Sequence, residues 1–320
     1  MSASPSTLGP VTSDSGWTAD QIPDLTGLRA VVTGANSGLG LHTALELARH
    51  GAFTTLACRD EVRGRAALDR VRAQLGDGSG TADLALVDLA DLSSVRHFAE
   101  SWHGPLDILV NNAGIMATPY AKTADGFESQ LGTNHLGHFA LTGLLLPALR
   151  EARAARVVSV SSIGHRMGRI DFDDLQSERR YQRWLAYGQS KLANLLFMRE
   201  LTRRLNRAGS TICATAAHPG GADTDLFTGF AGRSGPLASV SKRVSQLLAQ
   251  PASAGALPSL YAATMPDVIP ADYFGPSGAG EARGNPVRVV MNARARDAAV
   301  GRRLWDVSQE LTGVTYDLPA

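Results

Sequence analysis

The sequence predicts a single α/β domain, doubly wound around a parallel sheet. Three observations lead there. Short apolar runs ending at glycine or a polar residue alternate with segments of helical periodicity, and that alternation puts a covering helix between successive parallel strands. A glycine-rich turn follows the first apolar run. No linker divides residues 25–275 of the 320-residue chain, so one domain spans 25–320 behind a flexible lead over 1–24.

The elements follow in order. "RAVVTG" (29–34) is a buried strand and "SGLGLHTALELARHG" (37–51) a helix closed by glycine. "FTTLACR" (53–59) is the second strand, followed by the amphipathic helix "EVRGRAALDRVRAQLG". Further strands lie at 82–89, 106–114, 155–162 and 210–220, with helices near 92–103, 128–150 and 190–205. The segment 223–250, with glycines around Leu226, Phe227 and Phe230, suits either an apolar lid or an amphipathic helix docked on the core. Residues 277–320 form an extension, a loop over 277–286 and then a helix near 293–312.

Composition excludes several classes. Formal net charge is +1, which gives no general attraction to nucleic acid. The two cysteines, Cys58 and Cys213, are far apart, so neither a disulfide framework nor a CxxC metal site is expected. No apolar run reaches the ~20 residues of a membrane span, and the N-terminus lacks signal-peptide blocks. A cytoplasmic monomer or homodimer is the expectation. His135, His138, His165 and His218 show no metal-like spacing to carboxylates, and no metal site is expected.

"TGANSGLG" (33–40) joins the first strand to the first helix. Gly34, Gly38 and Gly40 allow a tight turn and close approach of a pyrophosphate to the helix N-terminus, with Asn36, Ser37 and Leu39 completing the loop. At the end of the second strand, where an NAD-binding protein carries an acid, Cys58 is followed by Arg59. A guanidinium there suits a 2′-phosphate, so NADP(H) is expected, with NAD(H) as the alternative. Asp60 caps the next helix or opposes Arg59.

Six motifs occur in a fixed order: "TGANSGLG", "NNAG" (111–114), "NHLGHF" (134–139), "VVSVSS" (157–162), "YGQSK" (187–191) and "HPGGADT" (218–224). Over residues 25–315 the chain resembles the short-chain dehydrogenases/reductases, and within them the retinol-dehydrogenase-like and protochlorophyllide-reductase-like branch. The resemblance implies a Rossmann-type fold and four catalytic residues: Asn134, Ser162, Tyr187 and Lys191. It implies cofactor contacts from the 34–40 loop, Asp88 and Leu89, Asn112, Ala113 and Gly114, Tyr187 and Lys191, and Pro219, Gly220 and Thr224. It also implies that Ser162, rather than Ser161, orients the substrate oxygen, and that Asn134 holds a relay water near Lys191.

The residues support this on physical grounds. Tyr187 and Lys191, four apart, share one helix face. The chain spells positive charge as 28 arginines against three lysines, so a lysine here points to shape as well as charge. A compact ammonium can reach ribose hydroxyls and stabilise a phenolate, lowering a tyrosine that ordinarily titrates near ~10. Ser162 and Tyr187 lie farther apart than in short family members, and the extra segment 164–184 reads as an insertion edging the substrate pocket. The expected activity is NADP-dependent hydride transfer between nicotinamide and an apolar alcohol or carbonyl compound. The alternatives are reduction of a C=C bond and a non-catalytic NADP sensor.

Overall fold

The computed structural model describes residues 16–76, 80–221 and 251–320. Seven strands run parallel: β1 (Arg29–Thr33), β2 (Phe53–Cys58), β3 (Thr81–Leu86), β4 (Ile108–Asn111), β5 (Arg156–Val160), β6 (Cys213–Ala217) and β7 (Tyr273–Pro276). An antiparallel edge strand, β8 (Pro286–Arg288), completes the order β3-β2-β1-β4-β5-β6-β7-β8. The chain winds outward from β1 to β3, then returns to place β4 on the other side of β1. That reversal leaves a crevice at the carboxyl ends of β1 and β4, where doubly wound sheets bind their ligands.

Helices α1 (Gly38–Arg49) and α2 (Glu61–Arg72) cover one face together with α8 (Ala252–Thr264). The other face carries α3 (Leu92–Glu100), α4 (Ser129–Leu131), α5 (Gly137–Leu144), α6 (Leu146–Glu151) and α7 (Arg183–Arg207). The predicted helix over 128–150 is present with a π-helical turn, Gly132–Leu136, set between α4 and α5, and it breaks only at Leu145 before α6. The helix over 190–205 starts earlier, at Arg183, with Gln182 accepting from Leu185 N as its cap. Strands β7 and β8 were not anticipated: each is short and mixed with Gly or Pro, so it lacks an alternating pattern. α8 holds Pro258 internally, which hides it from a propensity reading.

One boundary is corrected. The flexible lead cannot extend to residue 24, because the Trp17 ring packs edge-on to Tyr261 at 5.1 Å and Ile22 is buried in the core. In the extension, β8 rejoins the sheet and α9 (Ala298–Thr312) docks on α7. The segment 223–250 lies outside the described residues.

Trp305 of α9 is 2% exposed and packs with Phe139, Phe197 and Tyr316 at ring separations of 5.1, 5.9 and 4.5 Å. The Arg204 guanidinium lies over its ring at 4.6 Å. Trp305→Ala should therefore destabilise the protein by about 3–5 kcal/mol, read as a lowered urea midpoint. An unchanged midpoint would show that the extension is not part of the core.

Candidate active site

The crevice between β1 and β4 is lined by Gly34, Asn36, Ser37, Gly38, Leu39, Gly40, Arg59, Asp88, Leu89, Asn112, Ala113 and Gly114, all anticipated as cofactor contacts. Gly34 has φ +66°, and a Cβ there would sit 2.9 Å from Ala113 Cα. Only glycine fits that turn. Asp60, Asp91 and Asp297 cap the helices that follow them, whereas no side chain caps the first turn of α1. A helix terminus open to a crevice suits a diphosphate.

At the end of β2 the structure corrects one detail. Cys58 does not face the crevice: it is buried under α2, and burial pushes its thiol up to about 11. Alternation along the strand sends Ala57 and Arg59 to the crevice instead. Arg59 itself thus occupies the acid's place, while Asp60 caps α2 by accepting from Arg63 N at 2.9 Å. Asp88 accepts from Ala90 N at 2.9 Å in a tight turn, and Asp91 caps α3.

Gly114 leads from the crevice to the catalytic-type residues. A Cβ on it would lie 3.1 Å from Asn134 Oδ1 and 3.2 Å from Lys191 Nζ. Lys191 is buried on α7 and donates to Val160 O at 3.1 Å. Burial brings its ammonium down to about 8. Tyr187, one turn earlier, is 7% exposed, and its ring centre lies 5.9 Å from that ammonium. Burial pushes its phenol up to about 12, against a hydrogen bond with Ser162 that pulls it down. The expected lowering of Tyr187 is therefore reversed in the chain as it stands. Desolvation of the ring outweighs the hydrogen bond with Ser162.

Ser162 follows β5, and its hydroxyl accepts from Gly164 N at 3.1 Å. Ser161 points away, donating to Lys191 O at 2.8 Å. Asn134 lies in the π turn, a distortion often found where function demands it. Its side chain accepts from Ile115 N at 2.8 Å and donates to Ile115 O and Ser190 Oγ at 2.9 Å each. Both amide N–H groups are thus taken, and the side chain braces the loop after β4 against α7. Pro219 and Gly220 follow β6, and Thr224 lies outside the described residues.

The insertion is bonded in place rather than loose. Gln189 accepts from Asp171 N at 2.9 Å and donates to Leu175 O at 3.0 Å. Tyr181 donates to Thr118 O at 2.7 Å, and Lys122 pairs with Glu178 at 2.7 Å. Behind Ser162 lie the buried His165, His218 and Tyr273; sequence reasoning named the two histidines without a metal role and missed Tyr273.

A dinucleotide crevice ending at a half-buried Ser and a buried Tyr and Lys defines a nicotinamide-dependent oxidoreductase. The chain belongs to the short-chain dehydrogenase family, whose model matches residues 29–232. It is 43% identical over 300 residues to retinol dehydrogenase 12 of Mus musculus, covering 93% of this chain and 89% of that protein. The crystal structure of an uncharacterized protein from Mycobacterium paratuberculosis is similar with a TM-score of 0.78 and 46% identity, covering 95% of this chain and all of that one. A gluconate 5-dehydrogenase structure from Beutenbergia cavernae with bound NADP is similar at 25% identity and a TM-score of 0.58, covering 75% and 91% of the two chains.

Lys191 gives a test that separates stability from chemistry. Its folded pKa, about 8, lies below the ordinary 10.5, so the unfolded chain binds more protons between those values. Burying the ammonium therefore destabilises the fold fully below pH ~8, and the penalty fades as pH rises toward ~10.5. Val160 O also accepts from Asn194 Nδ2 at 3.1 Å, so removing the ammonium leaves no orphaned carbonyl. Lys191→Met should stabilise the protein at pH 7 by on the order of 3 kcal/mol, with the gain shrinking toward pH 10. A destabilised variant at pH 7 would show that the ammonium is held by contacts that outweigh its desolvation.

Proposed function

We propose that this protein uses NADPH to reduce an aldehyde or ketone on an apolar molecule, and catalyses the reverse alcohol oxidation as pH rises. The observation that carries this reading is the Ser162–Tyr187–Lys191 set, with Tyr187 and Lys191 buried, which lies beside the Gly114 end of a crevice fit for a dinucleotide. When bound, the cofactor supplies a hydride from nicotinamide C4. Ser162 and Tyr187 hold the substrate carbonyl oxygen by hydrogen bonds. As the carbonyl carbon gains its new C–H bond, Tyr187 gives its phenolic proton to the oxygen and becomes a phenolate. A phenol pushed up to about 12 is fully protonated at neutral pH and stands ready to donate. Lys191, titrating at about 8, is still mostly charged there and balances the phenolate. Asn134 keeps the loop after β4 at a fixed distance from α7.

The NADP choice is supported by Arg59, by the burial of Cys58 away from the crevice, and by the NADP found in the related structure. The apolar substrate is supported by the name of the relative, a retinol dehydrogenase. Met167 and Leu185 also leave apolar side chains about half exposed on the segments carrying Ser162 and Tyr187. Following NADPH absorbance over a panel of aldehydes, ketones, quinones and enones, with retinal included, tests the reading. Turnover of enones at the C=C bond alone, or NADPH binding with no turnover, would overturn it.

Tyr187→Phe removes the proton donor and keeps the ring, so turnover should fall by at least about 10²-fold while NADPH affinity holds. Near-full activity on a confirmed substrate would sink the assignment. For Arg59→Ala, the loss of a charged hydrogen bond of about 1.5–3 kcal/mol should reduce the NADPH-over-NADH preference in kcat/KM by at least about tenfold. NADH use should change little, and the ratios are compared at one moderate salt concentration because exposed charge is screened. A wild type that prefers NADH would refute the role of Arg59 and leave the proton chemistry standing.

A further inference from the structure

Behind Ser162 lies a polar cluster that the reaction described above does not use. His218 follows β6, is fully buried, and has its ring against Gly275 of β7, where a Cβ would fall 2.0 Å from Nε2. Its Nδ1 accepts from Gly220 N at 3.2 Å. A nitrogen that accepts an N–H carries no proton, so the neutral ring holds its proton on Nε2 and donates it to Glu281 Oε2 at 2.9 Å. The other carboxylate oxygen, Oε1, pairs with Arg166 Nη2 at 2.7 Å. Arg166 ends the 3-10 turn Ile163–Arg166, for which Ser162 is the cap. One carboxylate therefore connects the turn after β6 to the turn that carries Ser162.

The loop bearing Glu281 is built to deliver it. Gly280 and Glu281 both have left-handed backbone, φ 63° and 58°, a conformation that a non-glycine residue adopts at some energetic cost. Gly221 N donates to Ala282 O at 2.9 Å, docking this loop on the same turn. On the other side His165, whose Nδ1 donates to Ser162 O at 2.7 Å, stands edge-on to Tyr273 at 5.8 Å, and Tyr273 packs on His218 at 5.3 Å.

We propose that Glu281 is a positioning residue, which fixes the His218 tautomer and the Arg166 turn together and thereby sets the Pro219–Gly220 turn at a defined distance from Ser162. The inference rests on the reading of Pro219–Gly220 as the turn that grips the nicotinamide. Ser162 holds the carbonyl oxygen and that turn holds the hydride donor, so their separation governs the approach of the two reacting carbons. A carboxylate that touches neither reactant controls it through two hydrogen-bonded intermediaries.

The test uses the full chain with Glu281→Ala and Glu281→Gln. The first readout needs no turnover: 15N-correlated spectra of the imidazoles, with the His218 signal assigned by its loss in His218→Gln. Wild type should show the Nε2–H form, and Glu281→Ala a mixture of tautomers. In Glu281→Gln the amide oxygen still accepts from Nε2–H, so that variant should keep the wild-type form. The second readout is kinetic. Glu281→Ala should lower kcat by about tenfold or more, as small misplacements do, with NADPH affinity within about threefold of wild type. The isotope effect from NADPH deuterated at both C4 positions should rise, because hydride transfer becomes more fully rate-limiting. Glu281→Gln should recover much of the loss. If Glu281→Ala melts well below wild type, Glu281→Gln carries the test, since it drops only the ionic link to Arg166 and should show a smaller loss of the same kind. A wild-type tautomer with unchanged kcat and isotope effect in Glu281→Ala would overturn the proposal. Should wild type turn over no carbonyl compound, the functional reading falls alone, and the tautomer spectra still decide the clamp.

Discussion

The hydroxyl of Thr33, at the last residue of β1, holds the site together. It accepts from Asn112 N and Ala113 N at 2.9 Å each, which ties the start of the glycine loop to the end of β4. It also lies 2.9 Å from His138 Nε2. His138 Nδ1 can only donate to Asn134 O, at 3.0 Å, so Nε2 is an acceptor and the Thr33 proton goes to it. Burial holds the His138 ring down to about 4 and so keeps it in this neutral form. One side chain thus fixes the glycine turn, the crevice wall and the π turn relative to one another. Because every member has its hydrogen bond, the network rigidifies the site and leaves no buried group unpaired along it.

Burial sets the protonation of the whole region. His135, His138 and His218 are brought down to about 3, 4 and 4, chiefly by desolvation in each case. These rings are neutral at physiological pH and serve as shaped donors and acceptors. Lys191 is the exception, since its ordinary value is high enough that the same penalty leaves it charged at pH 7. A single buried cation among neutral dipoles is a field fixed before any reactant arrives, which is the arrangement that stabilises a developing phenolate most effectively. The stability given up to bury it is the expected companion of such a site.

Most of this was legible in the sequence, for identifiable reasons. The parallel strands announce themselves because a strand buried on both faces is a continuous apolar run, and the crevice because its glycines and the Tyr187–Lys191 spacing have few other uses. What was not legible depended on partners distant in sequence. The direction of the Tyr187 shift turned on its burial, which no local pattern reports. Cys58 and Arg59 exchanged places because strand alternation near a terminus cannot be phased without the sheet. The bonds of Asn134 join it to Ile115 and Ser190, 19 residues before and 56 after it, and no local pattern reports them. Glu281 stands in a glycine-rich loop 63 residues after His218, and nothing in its surroundings marks it.

The late part of the chain bears on the site in the same non-local way. α9 covers α5 and α7 through Trp305, and Ser308 Oγ lies 2.9 Å from His135 Nε2, one residue beyond Asn134 in the π turn. Tyr316 then donates to Phe139 O at 2.6 Å, on the same helical stretch. A π turn widens the helix and weakens its own ladder, so it persists where surrounding packing over-determines it. The extension supplies that packing from outside, and the Thr33–His138 bond supplies it from inside. Asn134 is held at its distance from Lys191 by both. The C-terminal helix is therefore part of the machinery that shapes the site, although none of its residues lines the crevice.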